Sequence, residues 1–180
     1  MVRRCRSSNI CTNWRSNDEQ GSGTITRQRE GHVLRAFGEE VIVYLDGEQT
    51  SGKLAMWTNI TPPGGGPPPH YHSNEDETFH VLEGRFAFLA DGQWRESGPG
   101  DSAFMPRGVV HTFKNVGDQP SSMLITATPS GFERFFARCA EESRSRGGAP
   151  DMARLVAIAE FISCCSHGPV GRFASQRAAM

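Results

Sequence analysis

No stretch of this chain is apolar for long enough to span a bilayer, and its first twenty residues lack the hydrophobic core of a secretory signal. Cysteine is scarce and badly placed for pairing. Cys5, Cys11, Cys139, Cys164 and Cys165 make an odd count with none of the spacings of zinc or redox motifs, and vicinal cysteines bridge only with strain. A disulfide scaffold is therefore excluded, and free thiols in a reducing, cytoplasmic setting are expected. There is no basic stripe, zinc-finger spacing or recognition helix, which argues against nucleic acid as a partner, just as the missing apolar run argues against a membrane. No internal repeat is visible, so one folding unit is expected.

What the chain does have is a β-rich middle. Its 180 residues, 37% of them hydrophobic, suffice for one good core. The net charge of −1 hides an uneven distribution: residues 37–120 carry five Lys/Arg against twelve Asp/Glu, while both ends are rich in arginine. Polyanionic substrates are disfavoured by that acidic middle. Alternating apolar residues bounded by turn residues predict strands at 39–45, 53–60, 78–82, 85–90, 93–96, 102–105, 110–115 and 122–128, an antiparallel all-β pattern. Glu83-Gly84-Arg85 and Asp91-Gly92 read as hairpin turns. After Pro129, Phe132, Phe135, Phe136 and Cys139 recur at helical spacing with Ser130 as the expected N-cap, and Leu155, Val156, Ile158, Ala159 and Ile162 follow Asp151 in a second helix. These helical faces are expected to pack on the barrel or on a partner. The division is thus 1–24 as a disordered extension, whose Arg/Ser content faintly suggests a transit segment, 25–129 as the β domain and 130–180 as a helical extension.

Two histidine-centred patterns lie inside the β domain. The first is G-x5-H-x-H-x4-E-x6-G, formed by Gly64, His70, His72, Glu77 and Gly84. The second is G-x5-P-x-G-x2-H-x3-N, formed by Gly100, Pro106, Gly108, His111 and Asn115. His70 and His72 stand two apart on an extended segment, so both imidazoles leave the same face. Glu77 is at odd separation from His72 and reaches the same place only if the chain turns at Ser73, Asn74, Glu75 and Asp76. Asp76 would take its place if the turn closed one residue sooner; otherwise Glu75 and Asp76 are solvated turn acids, and parity with Phe79 and Val81 points Glu77 inward. His111 arrives from a distant strand. Three imidazole nitrogens and one carboxylate suit one divalent transition metal, with Fe, Mn, Ni, Co, Cu and Zn all compatible. His32, His80 and His167 carry no such pattern and read as surface or satisfied core residues.

The Pro/Gly run from Pro62 to Pro69 is a stiff approach that presents His70, rather than a linker between domains. Parity nominates Phe79, Val81, Phe86, Phe88 and Phe113 as an aromatic pocket wall, with simple barrel filling as the competing reading.

On these two motifs the sequence resembles the cupin superfamily. Between about Ile25 and Ile162 it is similar to the single-domain quercetin-dioxygenase-like cupins. That similarity is carried by Pro-Gly-Gly-Gly-Pro-Pro-Pro-His, Glu-Asp-Glu, Val-Leu-Glu-Gly, Met-Pro-Arg-Gly-Val-Val-His-Thr-Phe and Gly-Phe-Glu-Arg-Phe-Phe. The resemblance implies a single antiparallel double-stranded β-helix, or jelly roll, with C-terminal helices, and a homodimer. It also implies O2-dependent cleavage of a small organic substrate, a hydroxylated aromatic such as a flavonol or an enolised ketone, with Glu77 as metal ligand, as catalytic base, or as both in turn. A non-catalytic small-molecule binder and a metal-dependent isomerase or lyase are the alternatives the same residues allow.

Overall fold

The computed structural model describes residues 23–147, 153–158 and 172–173. A short 3-10 turn leads into strands β1 (His32–Ala36), β2 (Glu39–Leu45), β3 (Ala55–Thr61), β4 (His70–Tyr71), β5 (Asp76–Glu83) and β6 (Phe86–Ala90). They are followed by β7 (Gln93–Ser97), β8 (Ser102–Met105), β9 (His111–Asn115), β10 (Ser121–Thr128), helix α1 (Glu133–Arg146) and a two-residue strand β11 (Arg172–Phe173). Residues 153–158 are helical, within the expected second helix. The expectations for residues 1–22, for His167, for Asp151, Ala159 and Ile162, and for every cysteine but Cys139 lie outside the described residues. Among the described residues no helix is long and apolar enough to cross a membrane.

The strands form two antiparallel sheets, ordered β1-β2-β3-β10-β5-β8 and β11-β4-β9-β6-β7. Alternating inward residues of the two sheets meet in one core: Phe79 of the first lies 5.4 Å from Phe88 and 6.1 Å from Phe113 of the second, ring centre to ring centre. This is the jelly-roll arrangement, all-β with a helix laid against it. α1 presents Phe135, Phe136, Cys139 and Ala140 on one buried stripe, and Phe136 packs edge-on against Trp57 at 5.6 Å. Burial pushes the Cys139 thiol up to about 12, which makes it a core residue rather than a nucleophile.

Three local expectations need correction. Strand β1 was not foreseen, because its return turn is Phe37-Gly38, with both residues at positive φ (60° and 78°), and phenylalanine is not a turn-forming signal. Glu83-Gly84-Arg85 is a turn but not a hairpin. β5 pairs with β8 and β10 while β6 pairs with β7 and β9, so the chain crosses there from one sheet to the other. Asp91-Gly92, by contrast, does close the β6–β7 hairpin, at φ values of 51° and 74°. Ser130 does not cap α1. The residue before its first turn is Phe132, and the buried Glu133 carboxylate instead accepts the Gly131 and Gly47 amides at 2.7 and 3.1 Å.

Asn115, the last residue of the second motif, is structural. Its amide donates to the carbonyls of Thr61 and Gln119 and its oxygen accepts from Gly117 and Ser121, so all its bonding capacity is spent tying β9 to neighbouring loops.

Candidate metal centre

The proline-glycine run is stitched to β9 rather than hanging between domains. Gly64 donates to the Asn115 carbonyl, Asn115 donates to Gly65, and the Thr112 hydroxyl donates to the Pro67 carbonyl. That lacing delivers His70 into register opposite His111, the first residue of β9. His72 follows two residues later, the chain turns at 73–74, and Glu77 enters from β5 in the other sheet. The four side chains are buried, and one ligand atom from each lies within 4.8 Å of the others. Donors on a coordination sphere of about 2.1 Å radius sit at most about 4.2 Å apart, so small side-chain adjustments complete the fit.

Second contacts orient the rings. The Nδ1–H groups of His70 and His111 donate to the Pro68 and Val109 carbonyls, both at 2.9 Å, which makes Nε2 the nitrogen each ring would offer to an ion. Glu77 Oε2 lies 3.1 Å from His111 Nε2 and 3.2 Å from His72 Nε2. The latter pair falls outside hydrogen-bond geometry, so both nitrogens of buried His72 are orphaned. A buried imidazole with no partner beside a carboxylate and two further imidazole lone pairs is what a divalent ion would satisfy, and His70, His72, Glu77 and His111 could hold one.

Charge sorts these groups. Burial, then repulsion from His72 and His111, pushes His70 down from 6.5 to about 3. Burial would lower His72 as well, but the charge and contact of Glu77, then the charge of Glu75, outweigh it and raise the group. Burial would likewise raise Glu77; the charge of His72 and the contacts from His111 and His72 win and hold it below the ordinary carboxylate range. Thus His70 is neutral and Glu77 ionised at neutral pH. For metal-depleted protein this fixes a sign. Between pH 6.5 and about 3 the unfolded chain binds a proton at His70 that the folded chain refuses, so stability is lost as acid is added through that window. Thermal unfolding of chelator-treated protein from pH 8 to 4 should show this decline, and His70→Gln should flatten it; an unchanged slope in that variant would assign the decline to other groups.

The structure separates the nominated residues. His80 is half-buried and bonded to the Ser102 hydroxyl, and His32 is exposed. Asp76 does not compete for the centre: its carboxylate faces outward and takes three hydrogen bonds from Arg107, which hold it down at about 2. Glu75 is not a solvated turn acid. It is buried 3.8 Å from His72 Nδ1, with Oε2 unpartnered, and burial raises its carboxyl. Nothing in the turn composition separated it from Asp76; only the direction of the turn did.

His70, His72 and Glu77 stand at a cavity of about 230 Å³. Phe79 and Phe113 line it, whereas Val81, Phe86 and Phe88 are not among its lining residues. They fill the barrel core, because inward parity places a residue in the interior without saying how deep. Further wall comes from Phe37, Trp57 and Ile125, from Phe132 just before α1, and from Phe135 and Phe136 on it. The α1 face therefore packs on the barrel and encloses the cavity at once, with Phe132 edge-on to His72 at 4.4 Å.

Comparison with known proteins agrees with this arrangement. Residues 58–127 match the family model described as Cupin domain. An uncharacterised protein of Aquifex aeolicus (strain VF5) is 39% identical over 106 residues, covering 59% of this chain and 79% of that protein. The polyketide synthase CurC of Streptomyces cyaneus is 31% identical over 80 residues, 44% of this chain and 51% of its own length. Among solved structures, KdgF from Halomonas sp. superposes with a TM-score of 0.57 over 63% of this chain and 99% of its own, at 18% identity, a likeness of fold.

Proposed function

This chain belongs to the cupin superfamily, and we propose that it is a metal-dependent oxidoreductase of the quercetin-dioxygenase-like kind, cleaving a small hydroxylated aromatic or enolised ketone with O2. The observation that carries the reading is a three-histidine, one-carboxylate cluster at an aromatic cavity whose wall is almost wholly apolar. A divalent transition ion held by His70, His72, Glu77 and His111 would supply Lewis acidity and one-electron chemistry.

The chain's own residues supply the rest. Glu77 is ionised, and because both histidine contacts fall on Oε2, its other oxygen can accept the proton of a substrate hydroxyl presented at the cavity end. Neutral His70 adds no charge that would oppose this. Phe79, Phe113 and Phe132 keep water from the reacting end and offer flat faces to a ring. Size narrows the substrate: a cavity of roughly 150 Å³ takes up benzene, so about 230 Å³ suits one or two rings better than the three of a flavonol.

The likeness to a polyketide synthase component favours a second reading, in which the same residues enolise a ketone without oxygen. Elemental analysis of the purified protein, with oxygen-electrode traces on hydroxylated one- and two-ring ketones, separates the two. One transition metal per chain with metal-dependent O2 uptake is the expected result; product formed equally well without oxygen would overturn the oxidative reading in favour of the second.

A further inference from the structure

The metal cluster is not the only polar set on the cavity wall. Glu39 at the start of β2 and Trp57 and Asn59 on β3 also line it, and all three are at least nine-tenths buried. Asn59 donates both amide hydrogens, to Glu39 Oε2 at 2.9 Å and to Thr61 Oγ1 at 3.1 Å. That leaves Glu39 Oε1, Asn59 Oδ1 and Trp57 Nε1 without any partner. Buried polar atoms are nearly always satisfied, so three orphans on one otherwise hydrocarbon wall require an account.

Register places them well away from the metal cluster. In the first sheet, Glu77 faces Ala127 of β10, which faces Ala55 of β3, whereas Asn59 faces Met123. Asn59 thus stands four residues along and two strands across from Glu77. At about 3.3 Å per residue and about 4.8 Å per strand, the backbone positions are roughly 16 Å apart, so a ligand that reaches both ends is elongated rather than a single compact ring. Phe37, at φ 60° and stacked on Phe135 at 5.9 Å, is held in a left-handed conformation beside this end, where a non-glycine residue is otherwise uncommon.

We propose that Glu39, Asn59 and Trp57 form a second anchor in the cavity, and that the ligand is an apolar one- or two-ring compound bearing a hydroxyl at the edge opposite the group that faces the histidines. The orphans comprise one donor and two acceptors, and a single hydroxyl answers both kinds: it accepts from Trp57 Nε1 and donates to Asn59 Oδ1 or Glu39 Oε1. Burial raises the Glu39 carboxyl, and a donor on Oε1 would restore part of the lost solvation. A carboxylate or phosphate at that edge would face the Glu39 carboxyl and is disfavoured. The inference rests on the proposed function only for which ligand group faces the metal.

The test is anaerobic binding of 2-naphthol and naphthalene-2,6-diol to the purified full-length protein by calorimetry. The diol can satisfy both ends and is expected to bind about tenfold more tightly. Trp57→Phe, which removes the indole N–H together with part of the ring, and Asn59→Ala should each erode that preference, read as the ratio of the two affinities within the same variant. Equal affinities in the wild type, binding of neither probe, or a preference untouched in a folded variant would overturn the anchor. Because no turnover is read, absence of O2 uptake with the preference intact would sink the oxidase reading and spare the anchor.

Discussion

His72→Ala combined with His111→Ala is expected to abolish metal retention while leaving the barrel folded. The loss should exceed the roughly 10- to 100-fold that removal of a ligand's outer partner costs, because two of four donors disappear. Folding should survive for a physical reason. In the metal-free state His72 carries two orphaned nitrogens, so its removal costs no hydrogen bond, and removal of His111 costs only those to Val109 and Glu77, at the edge of the apolar core rather than within it. The variant does strip Glu77 of both close contacts, so its carboxyl should rise as burial takes over. Elemental analysis after gel filtration, with circular dichroism on the same sample, reads both halves. Stoichiometric metal in the double variant would remove the proposed centre from consideration.

Gly66→Ala should be the most damaging single substitution in the loop before the ligands. A Cβ there would sit 2.0 Å from the Phe113 carbonyl oxygen and 3.2 Å from Lys114 Cα, backbone atoms of β9 that cannot turn aside, and φ is 148°. The run must lift off β9, and His70 four residues on moves with it. A stability loss of about 3 kcal/mol or more is expected, together with metal affinity lowered at least about tenfold as the His70–His111 register is lost. Gly64→Ala is the control. Its φ of 74° is also left-handed, but its Cβ would meet open space, so only the backbone penalty of about 1–2 kcal/mol applies. Equal effects of the two in denaturant titration would show that close approach to β9 is not what Gly66 provides.

Much of the centre was legible before any fold was drawn. His70, His72, Glu77 and His111 are near neighbours in pairs or obey strand parity, and a turn of polar residues is all that Glu77 needs to join them. The strands were legible for the same reason, since half-buried strands alternate and their turns use glycine. The failures share a cause too. Strand β1 closes on a Phe-Gly turn held by Phe37 stacking on Phe135, a contact nearly a hundred residues away in sequence. Glu39 and Asn59 share parity with Val41 and Trp57, so a polar residue on an apolar face was there to be noticed, though not which cavity they would share. Val81, Phe86 and Phe88 have the right parity and the wrong depth.

By itself, then, the sequence determined the donor set, the all-β pattern and the stiff approach to His70, because these depend on spacing along a few residues and on period-two alternation. Only the tertiary structure decided that Glu75 turns in while Asp76 turns out to Arg107, that α1 closes the cavity, and that Glu39, Trp57 and Asn59 line the same space as the histidines. Those outcomes depend on how two sheets and a helix approach one another, and no local rule encodes the distance between side chains that meet only when the barrel closes.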